Sequence, residues 1–194
     1  MTGSRESRVA DLILVRHAAT AWTGTRYCGR ADPPLSLAGR AAARGLAAEL
    51  ATTLEPRTRI VSSPSQRALQ TATAIAVAAS LGPVEIDPRW SEADVGMAEG
   101  RTFAELERMA PDLARALADG DAKIDWPGGE TAASLAERVE SAWDELRHAD
   151  LDAVVVSHGG PLRIAMALAL RVPASTLGPI EPGAIVRLPA GADR

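Results

Sequence analysis

Two short, uninterrupted apolar runs constrain the fold of this chain more than any other feature. Residues 12–15 read Leu-Ile-Leu-Val, and residues 153–156 read Ala-Val-Val-Val. A strand with one face in water alternates apolar and polar side chains, whereas a strand covered on both faces is apolar throughout. The two runs therefore predict strands of a largely parallel sheet that is covered on both faces.

Helical patterns separate the predicted strands along the chain. Weaker strand patterns lie at 59–61, 84–86 and 184–188, the last at a sheet edge. Helices are predicted over about 37–51, 65–80, 102–109, 111–119, 131–148 and 161–171. Alternating strands and helices are typical of α/β proteins. We therefore expect a three-layer α/β domain whose mainly parallel sheet is flanked by helices.

Local signals predict how two of the helices begin. Ser36 is expected to cap the first helix, with Leu37, Leu46 and Leu50 on its buried side. Pro64 suits the first turn of the second helix, because proline lacks the N–H that is unpaired there.

The sequence shows no linker and no internal repeat. Residues 1–10 are expected to form a flexible N-terminal tail, and residues 11–194 a single domain. The irregular segment at about 87–130 is predicted to form a lid over the edge of the sheet. Trp126 in this segment is expected to belong to the core, whereas Trp22 and Tyr27 fit either pocket walls or simple packing.

Charge and composition exclude several classes of protein. The 21 basic and 25 acidic side chains leave a net charge of −4, which disfavours nucleic acids and anionic membranes as partners. Cys28 is the single cysteine and rules out an internal disulfide framework. No apolar run reaches the roughly 20 residues that span a bilayer, and the first residues lack the apolar stretch of a signal peptide. A cytoplasmic protein is therefore expected.

Polar, chemically versatile side chains lie directly after the predicted strands. The first apolar run ends at Arg16-His17, and the run at 153–156 ends at Ser157-His158-Gly159-Gly160. Arg67 lies one turn into the helix after the strand at 59–61. Ligands of open α/β sheets sit beyond the carboxyl ends of the strands, and helix N-termini bind anions. The convergence predicts a phosphate pocket that contains imidazoles.

Each of these features also has a structural explanation. A single histidine at a strand end is more often a hydrogen-bonding residue than a catalyst. Two histidines with Glu92 or Asp94 as a third ligand would make a metal site. We do not favour a metal site, because no two histidines have the close helical spacing that metal sites use.

The ordered motifs resemble those of the histidine phosphatase superfamily, also called phosphoglycerate mutase-like. The similarity extends over about residues 12–188 and implies that fold. The matching segments are Leu14-Val15-Arg16-His17, Gly29-Arg30, Ser62-Ser63-Pro64 with Arg67-Ala68, Ser91-Glu92, Pro127-Gly128-Gly129-Glu130-Thr131 and Val156-Ser157-His158-Gly159-Gly160. The sequence departs from the commonest pattern at Ala18 and Ala19, where glycine and glutamate are frequent. Neither departure removes a catalytic group, but both bear on the substrate.

The resemblance implies a role for each matched residue. His17 would be the nucleophile that forms a phosphohistidine, and Glu92 the general acid and base. Arg16, Arg67 and His158, the last as an imidazolium, would hold the phosphoryl group. The remaining matches, which would contact phosphate or line the substrate pocket, are Gly159, Thr23, Cys28 and Gly29.

The function that we expect is a metal-independent phosphomonoesterase that acts on a small phosphorylated metabolite and needs no cofactor. Two alternatives stay open. One is a mutase that returns the phosphoryl group to its product, and the other is a phospholigand-binding module without turnover. A homodimer formed through the final strand is also left open.

Overall fold

The computed structural model describes residues 11–120, 124–149 and 151–188. Its sheet is built from β1 (Leu12–Arg16), β2 (Arg59–Ser62), β3 (Glu85–Ile86), β4 (Ala153–Ser157) and β5 (Ile185–Leu188). Their order across the sheet is β3-β2-β4-β1-β5, and only the pairing of β1 with the edge strand β5 is antiparallel. The predicted α/β fold with a mainly parallel sheet is thereby confirmed.

Six α-helices lie in the described part of the chain. They are α1 (Leu37–Ala51), α2 (Gln66–Ala78), α3 (Phe103–Met109), α4 (Pro111–Ala118), α5 (Ala132–Arg147) and α6 (Gly159–Leu170). Alternate side chains of β1 point to opposite faces of the sheet, as the pleat of a strand requires. Leu12 and Leu14 pack with residues of α5 and α6, whereas Ile13 and Val15 pack with residues of α1 and α2. This explains why the run is apolar without alternation.

The strand register sets the position of the residues beyond the strand ends. Leu12 pairs with Ala153 and Arg16 with Ser157, and the His17 amide continues the ladder by donating to the Ser157 carbonyl at 2.9 Å. On the other side of β4, Ser62 pairs with Val156. Because these strands run parallel, their carboxyl ends meet at one edge of the sheet.

Two of the local predictions for the helices were wrong. Leu37 is 80% exposed, because nine steps of 100° place it on the opposite side of α1 from the buried Leu46. Pro64 lies before the capping residue Ser65 rather than inside the first turn of α2. The predicted cap of α1 is confirmed, since the Ser36 hydroxyl accepts from the Gly39 amide at 2.9 Å.

The segment predicted to form a lid contains α3 and α4 and has a small apolar cluster of its own. Leu106 and Leu113 are buried in this cluster, and Tyr27 and Trp126 pack against it. Trp126 is only partly buried, so its assignment to the core was wrong. The lid itself stays a prediction, and the expected tail at 1–10 lies outside the described residues. Among the described residues, no helix combines the length and apolar composition that crossing a membrane requires.

Candidate active site

Four residues that the sequence singled out converge beyond the carboxyl ends of β1, β2 and β4. Arg16 ends β1 and His17 comes next in the chain. Arg67 lies in the first turn of α2, and His158 directly precedes α6. The rings of His17 and His158 meet edge to face, with centroids 5.0 Å apart. His17, Arg67 and His158 are 6%, 1% and 0% exposed, so these three side chains are almost fully buried.

The hydrogen bonds of His17 define which ring nitrogen carries the proton. Its Nδ1 lies 2.8 Å from the Ala18 carbonyl oxygen, and because a carbonyl can only accept, Nδ1 carries the proton. The lone pair of Nε2 is then free to accept from Nε of Arg67 at 3.3 Å. Burial lowers the pKa of His17 to about 3, the bond to Ala18 opposes that shift, and the charges of Arg67 and Arg16 add to it. The imidazole is therefore neutral, and its unprotonated nitrogen is Nε2.

The loop after β1 holds the guanidinium of Arg67 in place. Its terminal nitrogens donate to the carbonyls of Ala31 at 2.6 Å and Gly29 at 2.9 Å. Asp32 lies 3.8 Å away and adds a weak ion pair. Gly29 has a φ of +51°, and a Cβ there would lie 2.5 Å from a methyl group of Val95. Only glycine lets this loop approach closely enough to fix Arg67.

Arg16 has a guanidinium that is only partly paired. Its Nη1 donates to the Ile180 carbonyl, whereas its buried Nε has no partner among the described residues. Burial lowers the pKa of Arg16, and the carboxylates of Glu92 and Glu181 oppose that shift. An arginine stays charged under such a shift, so the unpaired N–H favours an anion beside it.

His158 is the second imidazole of the site. Its Nε2 lies 2.7 Å from the Ser63 hydroxyl and 3.3 Å from that of Ser65, and its buried Nδ1 has no partner in the described part of the chain. Burial, together with the proximity of His17 and Arg67, lowers the pKa of His158 well below its usual value. The structure thus favours a neutral imidazole, in contrast to the imidazolium expected from the sequence.

Glu92 approaches the site from the predicted lid segment. Its Oε1 accepts from the Ala93 amide at 3.0 Å. A Cβ on Gly160 would lie 2.7 Å from that oxygen, so glycine at the start of α6 makes room for the carboxylate. At Gly159, a Cβ would lie 3.7 Å from Cζ of Arg16. The first N–H groups of a helix have no acceptor within the helix, so this end of α6 offers donors beside the two charged groups.

Arg138 on α5 fixes the backbone around Glu92, and sequence reasoning missed it. Its Nη1 donates to the carbonyls of Arg89 at 2.6 Å and Ser91 at 2.7 Å, and its Nη2 to that of Glu92 at 3.2 Å. Glu130 accepts from the same guanidinium at 2.7 and 2.8 Å. The one feature of the sequence that could have indicated this role is a charged residue near the buried side of an amphipathic helix.

A cavity of about 360 Å³ opens beside these groups. Seven of the nine site residues named from the sequence line it: Arg16, His17, Thr23, Cys28, Gly29, Arg67 and Glu92. The other two, His158 and Gly159, do not line it but adjoin its walls. Trp22, Tyr27 and Trp126 also line the cavity, so all three are pocket walls.

Thr23 and Cys28 lie on the loop that borders the cavity. The Thr23 hydroxyl accepts from the Thr20 amide at 2.9 Å, which makes it a support for the loop. Burial raises the pKa of the Cys28 thiol and keeps it neutral. Among the residues that the structure describes, no three histidine, cysteine or carboxylate side chains form a cluster that could hold a metal ion.

Comparisons with known proteins identify the family of this chain. A family model described as histidine phosphatase superfamily (branch 1) matches residues 12–190. Phosphoserine phosphatase 1 of Hydrogenobacter thermophilus is 39% identical over 158 residues, which are 80% of this chain and 74% of that protein. A bifunctional protein of Mycobacterium tuberculosis is 36% identical over 172 residues; they cover 87% of this chain but only 46% of that longer protein.

A solved structure shares the fold as a whole. The mycobacterial glucosyl-3-phosphoglycerate phosphatase in complex with VO3 superposes with a TM-score of 0.81 at 29% sequence identity. The superposition covers 92% of this chain and 90% of that one. With the family model extending over nearly the whole sequence, these similarities show that the chain belongs to the histidine phosphatase superfamily and is an enzyme that hydrolyses phosphomonoesters.

Proposed function

We propose that the enzyme transfers the phosphoryl group of a small phosphorylated metabolite to Nε2 of His17 without a metal ion. One observation carries the proposal: a buried, neutral imidazole presents its lone pair beside the guanidinium of Arg67. A neutral imidazole is nucleophilic, whereas an imidazolium is not. Positive charge next to that nitrogen stabilises the phosphoryl oxygens during transfer.

In the first step, a bond forms between phosphorus and Nε2 of His17 while the ester bond to the leaving oxygen breaks. Glu92 donates a proton to that oxygen, so the alcohol leaves neutral. Arg67, the unpaired Nε–H of Arg16 and the Gly159 amide at the start of α6 bind the phosphoryl oxygens. Little covalent chemistry is needed beyond this positioning.

In the second step, Glu92, now ionised, takes a proton from water as the water attacks the phosphohistidine. The phosphorus–nitrogen bond breaks, inorganic phosphate leaves and His17 returns to its neutral form. Binding of the phosphoryl dianion offsets the burial that keeps His158 uncharged, so this imidazole gains a proton only with ligand in place.

Two similar proteins support a small phosphorylated substrate. One relative is named a phosphoserine phosphatase, and one neighbouring structure is of a glucosyl-3-phosphoglycerate phosphatase. The cavity of about 360 Å³ also lies in the size range of small-molecule sites.

Phosphate release from a panel of phosphomonoesters in excess EDTA tests the proposal. We expect full activity with EDTA in the wild type and none in His17→Ala, which controls for contaminating phosphatases. His148→Ala is the matched control, because His148 is exposed at the end of α5, and we expect it to retain wild-type activity. Loss of activity with EDTA and its recovery with a divalent ion would overturn the metal-free mechanism. Formation of a phosphate isomer instead of free phosphate would indicate a mutase.

A further inference from the structure

Arg163, on the second turn of α6, is a cavity-lining cation that the proposed mechanism does not use. It lines the cavity together with Ile164 and Ala174. Its Nη2 donates to the Ala174 carbonyl at 3.0 Å, which fixes the side chain. Its buried Nε has no partner among the described residues. This guanidinium is held in place and still has an N–H without a hydrogen-bond acceptor. It can therefore donate to an acceptor that the protein does not supply.

The position of Arg163 relates it to one half of the substrate. Gly160, which contacts the Glu92 carboxylate, lies three residues earlier and therefore on the same face of α6. The helical rise separates the two residues by about 4.5 Å along the axis. Because Glu92 protonates the leaving oxygen, the alcohol half of the substrate departs on this side of the phosphorus. Arg163 is thus next to the alcohol, a few bonds from the ester oxygen.

The charge of the cavity lining also favours an anionic ligand. Of the residues that the structure describes, four arginines and a single carboxylate line it, although the chain as a whole has a net charge of −4. Arg16 and Arg67 belong to the phosphoryl site, and Arg26 donates to the Gly100 carbonyl and lies 3.7 Å from Glu105. Within the part of the chain that the structure describes, Arg163 forms no ion pair.

We propose that Arg163 forms an anion subsite for the alcohol half of the substrate. The preferred phosphomonoesters then carry a second anionic group, a carboxylate or another phosphate, within a few bonds of the ester oxygen. This inference rests on the proposed function, because it places the ester oxygen beside Glu92. Arginine suits both groups, since its planar fork donates two parallel hydrogen bonds.

Two matched pairs of substrates test the subsite. One pair is 3-phosphoglycerate and glycerol 3-phosphate, which differ by a carboxylate in place of a hydroxymethyl group. The other pair is 1,3-propanediol bisphosphate and its monophosphate, which reports on a second phosphate. The quantity to measure is the ratio of kcat/KM values within each pair. Both substrates are assayed on one enzyme preparation, so partial misfolding of a variant cancels from the ratio.

In at least one pair, we expect the wild type to prefer the substrate with the second anionic group by about 10- to 100-fold. This is the factor that a hydrogen bond to a charged group contributes. In Arg163→Gln that ratio falls to near 1, and in Arg163→Lys it is intermediate. Arg115→Gln removes an arginine whose side chain is 73% exposed on α4, and it leaves the ratio unchanged.

Absence of any preference in the wild type would overturn the subsite, as would an Arg163→Gln ratio within about twofold of the wild-type ratio. Failure of the proposed function has a different signature. In that case the wild type releases phosphate from none of these compounds, nor from 4-nitrophenyl phosphate.

Discussion

Arg67 donates from Nε to Nε2 of His17 across 3.3 Å, so the atom that we propose as nucleophile is already in contact with a fixed positive charge. The other two nitrogens of the same guanidinium donate to the carbonyls of Gly29 and Ala31. Three hydrogen bonds from one planar group hold it with little freedom to turn. A lysine ammonium at the end of a flexible chain has no comparable geometry.

Arg67→Lys is therefore expected to damage the enzyme although it keeps the charge. We expect kcat/KM for 4-nitrophenyl phosphate to fall about tenfold or more, because at least one charged hydrogen bond in the transition state is lost. Arg44→Lys on the exposed side of α1 is the matched control and is expected to match the wild type. Wild-type kinetics in Arg67→Lys would mean that this arginine does not bind the phosphoryl group.

The effect of Glu92→Gln is expected to depend on the leaving group. An alkoxide needs a proton in order to leave, whereas nitrophenolate hardly does, and general acid catalysis contributes about 10²- to 10⁴-fold. The loss in kcat/KM is therefore large for an alkyl phosphate and much smaller for 4-nitrophenyl phosphate. Glu107→Gln changes an exposed carboxylate of α3 and serves as the control. Equal losses for both substrates would show that Glu92 orients phosphate or supports the structure instead.

Gly160→Ala tests the position of the Glu92 carboxylate without substituting Glu92 itself. The new Cβ would lie 2.7 Å from Oε1 of Glu92, so the flexible side chain must turn away. We expect the variant to fold and to lose about tenfold in kcat/KM for alkyl phosphates, with a smaller loss for 4-nitrophenyl phosphate. Gly45→Ala in α1 meets no atom within 4 Å, and we expect it to keep activity and gain about 0.5–1 kcal/mol of stability. Wild-type kinetics in Gly160→Ala would mean that Glu92 takes no part in the reaction.

The burial of His17 also predicts how stability varies with pH. Its pKa is about 3 in the folded protein and about 6.5 in the unfolded chain, so between these values only the unfolded chain binds the proton. The stabilising contribution is complete above about pH 6.5 and declines as the pH falls toward 3. The free energy of unfolding in urea, measured at pH 7 and pH 4.5, is expected to drop more in the wild type than in His17→Gln. His148→Gln changes an exposed histidine, and its free energy of unfolding is expected to drop as much as that of the wild type. An equal drop in His17→Gln would refute the depressed pKa.

The sequence predicted the residues at the carboxyl ends of the strands well because the relevant information is local. An apolar run that ends abruptly at Arg16-His17 or at His158 specifies both a buried strand and the polar residues at its carboxyl end. The parallel register between β1 and β4 then brings these ends together without further information. The exposure of Leu37 also follows from local geometry, since nine helical steps of 100° separate it from the buried Leu46 and place it on the opposite side of α1.

Other features depend on packing between distant segments and could not be predicted. Arg138 reaches the carbonyl of Glu92 from 46 positions further along the chain, and nothing in the sequence says that α5 runs beside it. The neutral state of His158 likewise depends on complete burial beside Arg67. Arg163 has the sequence pattern of an ordinary helix residue, and only the cavity distinguishes it.

Trapping of a covalent intermediate tests the central claim, the phosphohistidine on His17, most directly. The enzyme is mixed with ³²P-labelled 4-nitrophenyl phosphate, quenched in base because phosphohistidine is labile in acid, and digested to locate the label. We expect label on the peptide that contains His17, more of it in Glu92→Gln because the water step is slowed, and none in His17→Ala. Label on another residue, or a His17→Ala enzyme that still turns over, would contradict the mechanism.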